Sequence, residues 1–202
     1  MNNNQSISKF LKKKISFFKG IILIIIASFF LLTSVGFLLI YQEVDVEKIY
    51  LTPPINPKAS LYLSPEKGTF KVGDDFILNV LINTKGSDIV ASAVYLSYNS
   101  TKMEALHIDT SESVFTMEAE KIIDNESGNI KLTLGKPTPG VNTPNGKVAT
   151  IHFKTLESIN PRRDNVYFNF DPNSSLFSTV ILDDKLGTNI LSSVAGAKIF
   201  IK

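Results

Sequence analysis

The sequence predicts an all-β domain built as a sandwich of two sheets, preceded by one transmembrane α-helix. Three observations carry that expectation. One run, Ile21 to Tyr41 (IILIIIASFFLLTSVGFLLIY), is almost wholly apolar, and no residue from Gly20 to Gln42 is charged. From Ala59 onward, short stretches of alternating apolar, β-branched and aromatic residues recur, separated by turn-forming clusters. In that same part no apolar period of 3.6 residues persists over the roughly 10 residues a helix needs.

Taken in order, residues 1–19 form a basic tail, with Lys9, Lys12, Lys13, Lys14 and Lys19 and no acid. Residues 20–42 form the helix: at about 1.5 Å of rise per residue the apolar run spans roughly 31 Å, the hydrocarbon thickness of a bilayer. Basic residues before the span and Glu43, Asp45 and Glu47 after it place the amino terminus in the cytoplasm and the remainder outside, a single-pass protein of the cell membrane. A cleaved signal peptide shares the basic start, but its apolar region is about 7–15 residues long with a small-x-small site behind it. Here Ser34-Val35-Gly36 lies inside the run, which ends FLLIYQEVD, so an uncleaved signal anchor fits better. Residues 43–58 carry Pro53, Pro54 and Pro57, which remove backbone donors and favour extended geometry, giving a short stiff spacer.

Residues 59–202 form the outer domain. The runs expected as strands are ASLYLS (59–64), DFILNVLIN (75–83), IVASAVYLSY (89–98), KMEALHID (102–109), SVFTM (113–117), NIKLTLG (129–135), KVATIHFK (147–154), NVYFNF (165–170), STVILD (178–183) and VAGAKIFIK (194–202). Between them lie PEKGTFKVGD, NTKGSD, DNESG, KPTPGVNTPNG, ESINPRRD, DPNSS and DDKLGTN. This spacing of strands and turns indicates a sandwich. KPTPGVNTPNG, with three Pro and two Gly, reads as a rigid connection between the sheets.

Composition removes several function classes. The sequence pI is 8.6, yet from Ala59 onward there are 14 Lys and Arg against 16 Asp and Glu, a net charge of −2. The excess positive charge sits in the tail, so the outer domain has no phosphate-seeking field and nucleic acid is not expected as a partner. The absence of cysteine excludes disulfides, thiol catalysis and Cys-based zinc sites. His107 and His152 both lie in strand patterns, and no G-x-S-x-G, H-E-x-x-H, P-loop or dinucleotide fingerprint occurs, so no catalytic residue is expected. Asp74-Asp75 and Asp183-Asp184 do not continue into a calcium-loop series and read as turn features. With no Trp, a sugar platform would rest on Tyr62, Tyr95 and Tyr167, each out of phase with apolar neighbours and so able to face outward.

The order of motifs carries a resemblance. LYLSPEKGTF is followed by KVGDDFILNVLINT, in which Val72-Gly73-Asp74 opens a strand, then by IVASAVYLSYNSTKMEAL, by GKVATIHFK with its G-x-x-A-x-I-x-F spacing, and by the closing AGAKIFIK. This pattern resembles the cohesin family of bacterial surface modules over nearly all of 59–202. In that family an aromatic-Asp-Pro-x-x-Leu turn follows the third strand; here Asn99-Ser100 stands in place of Asp-Pro, and Asn can still bond its own backbone two residues on. The resemblance implies a flattened jelly-roll sandwich of about nine strands, and binding of the calcium-loaded dockerin modules of other proteins in a surface or polysaccharide-degrading assembly. Calcium would then belong to the partner and no cofactor to this chain. Binding of a polysaccharide, and a structural or adhesive spacer role, are the other readings.

Cohesin-like modules use one outer face for a partner, which points to the third strand, the GKVATIHFK strand and NIKLTLG. Alternation sends Val94, Leu96 and Tyr98, Ala149, Ile151 and Phe153, and Ile130, Leu132 and Leu134 inward. It leaves Ala91, Ala93, Tyr95 and Ser97, Val148, Thr150 and His152, and Lys131 and Thr133 outside. The expected binding face is therefore Ala93, Tyr95, Ser97, Lys131, Thr133, Thr150 and His152.

Overall fold

The computed structural model describes residues 58–202. The tail, the apolar run and the spacer up to residue 57 lie outside those residues; among the described ones, no helix is long and apolar enough to cross a membrane. Twelve strands follow: β1 (Ala59–Ser64), β2 (Lys67–Phe70), β3 (Asp75–Asn83), β4 (Ile89–Tyr98), β5 (Met103–Asp109), β6 (Met117–Asp124), β7 (Asn129–Gly135), β8 (Gly146–Thr155), β9 (Val166–Phe168), β10 (Thr179–Leu182), β11 (Leu191–Ala195) and β12 (Lys198–Ile201).

Two sheets face each other. The first has the order β11-β1-β3-β8-β5 and the second β10-β4-β7-β6, with β9 also on β4 beyond β10; β12 and β2 form a separate parallel pair. The alternation expected of the sequence is what closes the core. In β3 Phe76, Leu78, Val80 and Ile82 point in, and in β4 Val94, Leu96 and Tyr98 do, as do Ile130, Leu132 and Leu134 of β7. Phe153 of β8 stacks on Phe76 with ring centroids 5.3 Å apart and meets Tyr98 of the opposite sheet edge-on, also at 5.3 Å.

The Pro- and Gly-rich loop does cross between the sheets, leaving β7 in the second and entering β8 in the first. It runs antiparallel to the start of β4, where Val141 and Ile89 exchange backbone hydrogen bonds of 2.7 and 2.9 Å. A Cβ at Gly140 would lie 2.1 Å from the Ile89 carbonyl oxygen, so only glycine lets the two chains approach this closely.

The strand count exceeds the nine implied, and each discrepancy has a local cause. Only the end of SVFTM is strand: Ser113 to Thr116 are irregular, with Phe115 a buried anchor, and the strand starts at Met117 as MEAEKIID. That strand lies at a sheet edge, so most of its residues are exposed and it lacks the apolar alternation of its neighbours. KGTF, read as turn, is held as β2 by parallel pairing to β12 rather than by its own composition. The closing run is divided at Gly196 into β11 on the first sheet and β12 on β2.

Candidate protein-binding face

The expected face is divided by the topology. β4 and β7 pair in the second sheet, whereas β8 lies between β3 and β5 in the first. The outer surfaces of a sandwich point away from each other. Ala93, Tyr95, Ser97, Lys131 and Thr133 therefore share one side, and Thr150 and His152 lie on the other. The crossing loop is the reason: it carries the chain to the opposite sheet, and strand parity alone does not report which sheet a strand joins.

On the second sheet the site is organised around Tyr95. The chain beside β4 breaks at this residue: β10 pairs with Ile89 to Ala93 and β9 with Leu96 to Tyr98. Side chain and backbone of the intervening segment fill the gap, since Tyr95 N–H donates to Ser178 Oγ (3.0 Å) and Asn169 N–H donates to the Tyr95 carbonyl (2.7 Å). The segment between β9 and β10 is thereby lifted off the sheet, and its Leu176 and Phe177, 79% and 40% exposed, border a hollow of about 220 Å³ with Tyr95, Asn129, Lys131 and Asn169.

Neighbours on β7 and β6 complete the surface. Lys131 pairs in register with Tyr95, its Nζ 5.7 Å from the ring centroid, within reach of a cation–π attraction. Ser97 is engaged rather than free: its hydroxyl donates to Asn129 Oδ1 (2.7 Å) and accepts from Asn169 Nδ2 (3.0 Å). Thr133 Oγ1 donates to Glu120 Oε2 at 3.3 Å. Ile122, opposite Lys131 on β6, is 49% exposed. The small Ala91 and Ala93 leave the middle of β4 low, so Tyr95, Ile122, Leu176 and Phe177 stand as apolar projections around polar side chains, the pattern of an interface with anchoring residues.

The first sheet presents a different surface. Thr150 is directed outward but only 9% exposed, because its hydroxyl is bonded to Asn79 Oδ1 (2.8 Å) and flanking side chains cover it. Val148, expected outside, is fully buried. A bulge breaks the β3–β8 register between Val80 and Leu81, whose partners are Ala149 and Lys147, and the extra residue, Val148, turns into the core. A second bulge, on β5, brings His107 opposite His152, and the two rings stack with centroids 3.8 Å apart. Tyr62 also lies on this sheet, its hydroxyl donating to Asn145 Oδ1 (2.6 Å), so Tyr62, Tyr95 and Tyr167 form no common platform.

The cohesin-domain family profile matches residues 62–190, more than half of the chain. The chain belongs to the cohesin domain family. Solved structures agree on the fold. A solution structure of the cohesin CaCohA2 from Clostridium acetobutylicum is 15% identical with a TM-score of 0.54, covering 73% of this chain and 92% of that one. The cohesin in the Coh-OlpC-Doc435 complex of Clostridium thermocellum is 16% identical with a TM-score of 0.54, covering 72% and 94%. A non-cellulosomal cohesin from the archaeon Archaeoglobus fulgidus is 14% identical with a TM-score of 0.51, covering 72% and 91%. No curated protein matches.

In this cohesin domain the altered turn keeps its chemistry. Asn99 Oδ1 accepts from Thr101 N–H (3.1 Å) and from the Thr101 hydroxyl (2.8 Å), the bond two residues on that an Asp would supply. Asp74 and Asp184 serve turns, Asp74 Oδ2 accepting from Lys71 N–H and Asp184 from Leu186 and Gly187 N–H, while Asp75 opens β3 and Asp183 accepts from the Thr138 hydroxyl of the crossing loop. The Thr188 hydroxyl is the largest influence holding the Asp184 carboxyl below its ordinary range. Among the described residues no group of three His, Cys, Asp or Glu side chains is placed to hold a metal ion.

The face contains residues that sequence reading missed. Ile122 escaped because its edge strand has no clear alternation, and Leu176 and Phe177 because they lie in a segment between two short strands. One signal was present: Leu-Phe in a Ser-rich turn is apolar where a turn is ordinarily polar.

Proposed function

We propose that this chain is a membrane-anchored cell-surface module that binds a dockerin-type protein through the outer face of its second sheet. Cohesin domains are non-catalytic binding modules, and several cohesins of this fold were solved as complexes with dockerins. The observation that carries the reading is the Tyr95 surface, where exposed Ile122, Leu176 and Phe177 surround a cation–π pair of Tyr95 and Lys131.

Its size suits the task. Four strands about 4.8 Å apart and ten residues of β4 at about 3.3 Å each give a surface of roughly 15–20 by 33 Å, the scale of one side of a standard interface. The anchor rests on the uncharged run of residues 20–42, which has the length and composition of a bilayer span. One cohesin sharing the fold is non-cellulosomal, so the reading asks only for a surface assembly; a polysaccharide-degrading one is the narrower case.

Calcium belongs to the partner in this scheme. The full chain in detergent, immobilised and exposed to dockerin-bearing proteins of the same organism, should retain one of them in millimolar calcium and release it on chelation. Retention that survives chelation, or failure to retain any such protein, would refute the reading.

A further inference from the structure

We propose a second binding site on the cohesin domain: a cleft lined by Lys67, Arg162, Arg163, Tyr167 and Lys198 that takes an acidic polysaccharide. The site adjoins the Tyr95 surface, since Tyr167 of β9 pairs with Ser97, but it shares no lining residue with the Tyr95 hollow and stands on its own observations.

The charge is concentrated where the domain as a whole has none to spare. The outer domain carries a net charge of −2, and Arg162 and Arg163 are the only arginines of the chain. Both line two adjoining cavities of about 620 and 610 Å³ that also share Asp164 and Tyr167, so the two read as one groove. Among the described residues the ion pairs are Lys102–Glu157, Lys121–Glu118 and Lys147–Glu112, none of them in this groove. Lys67 and Lys198 are register partners across the parallel β2–β12 pair. Like charges directly opposite on a sheet are unfavourable until an anion neutralises them.

The groove is held in shape. Ile159 and Ile201 exchange backbone hydrogen bonds of 2.9 and 3.0 Å, Asn165 bonds Ile199 through both ends of its side-chain amide (2.8 and 3.0 Å), and Lys198 Nζ donates to the Arg162 carbonyl (3.0 Å). The segment carrying the arginines is thus fastened to β12, which lowers the ordering cost of binding.

Its chemistry fits a sugar chain more closely than a peptide or a lipid. The guanidinium forks suit carboxylate or phosphate oxygens, the half-exposed Tyr167 ring offers a flat apolar platform, and Asp164 can accept from hydroxyls. Pro161 is the one aliphatic residue among the lining side chains, leaving nothing to hold an acyl chain.

The test uses the full chain in detergent, titrated with an oligogalacturonate, a glycerol-phosphate polymer, a neutral xylo-oligosaccharide, poly-L-glutamate and vesicles of anionic phospholipid. One or both of the first two should bind, which assigns carboxylate or phosphate as the recognised group, and the neutral sugar should not. Arg162→Ala with Arg163→Ala should weaken binding about tenfold or more while leaving capture of a dockerin-bearing protein unchanged, and Tyr167→Ala should weaken it while Tyr167→Phe does not. Lys67→Gln with Lys198→Gln gives an independent reading should the arginine variant melt early. Binding of neither acidic glycan, equal binding of poly-L-glutamate or vesicles, or indifference to Tyr167→Ala would overturn the proposal.

Discussion

Asn125 joins the two sheets, and its replacement by alanine has a magnitude that the structure lets one work out. Its Oδ1 accepts from the Tyr98 hydroxyl of β4 and from Ala105 N–H of β5 (2.9 Å), and its Nδ2 donates to the Ala105 carbonyl (3.0 Å). The amide therefore completes the open edge of β5 as a strand partner would, from the turn of the other sheet. Asn125→Ala removes three hydrogen bonds and strands the hydroxyl of Tyr98, a residue only 6% exposed; burial already pushes that phenol above its ordinary pKa. At about 1 kcal/mol per bond the loss is about 3 kcal/mol, which lowers the melting temperature by roughly 10 °C for a domain of this size. Thermal and urea unfolding measure it. Adding Tyr98→Phe to Asn125→Ala removes the orphaned hydroxyl and should restore about 1 kcal/mol. A single variant melting within about 2 °C of the parent, or no recovery in the double variant, would refute the reasoning.

Other outcomes follow from the same architecture. Val148→Lys should cost more than about 3 kcal/mol, because the bulge buries this side chain; a tolerated lysine would restore strict alternation. Asp109, Glu118, Asp124 and Asp184 titrate below their ordinary values, held first by Ser111 N–H, Lys121, the Ser127 hydroxyl and the Thr188 hydroxyl respectively. Depressed folded values mean that their contribution is present above the unfolded values and lost as pH falls through the folded ones. The melting temperature should hold between about pH 7 and 5 and decline below about 4, modestly since all four are exposed; a rise on acidification would contradict this.

Most of the core was legible in the sequence because a buried strand face writes itself as alternation, and β1, β3, β4 from Ser92 onward, β7 and the far half of β8 obey it. The edge strand β6 did not, since little of it is buried, and β2 did not, since pairing rather than composition makes it a strand. Bulges shifted the parity at Val148 and Leu106, turning one into the core and the other out to solvent. For the binding face, parity correctly turned Tyr95, Lys131 and Thr133 outward, but parity is silent about sheet membership. That is a property of the β7–β8 crossing, and it separated Thr150 and His152 from the rest.

Paired substitutions on the two sheets decide which of them meets the partner. Tyr95→Ala combined with Ile122→Ala on one sheet, and Ile77→Ala combined with His152→Ala on the other, each remove one exposed isoleucine and one half-buried ring for titration calorimetry against a calcium-loaded dockerin-bearing protein from the same organism. The first pair should weaken binding by about a hundredfold, two anchors each worth above 1 kcal/mol, and the second pair should leave affinity within about twofold. A loss confined to the second pair would place the partner on the first sheet and contradict the central claim.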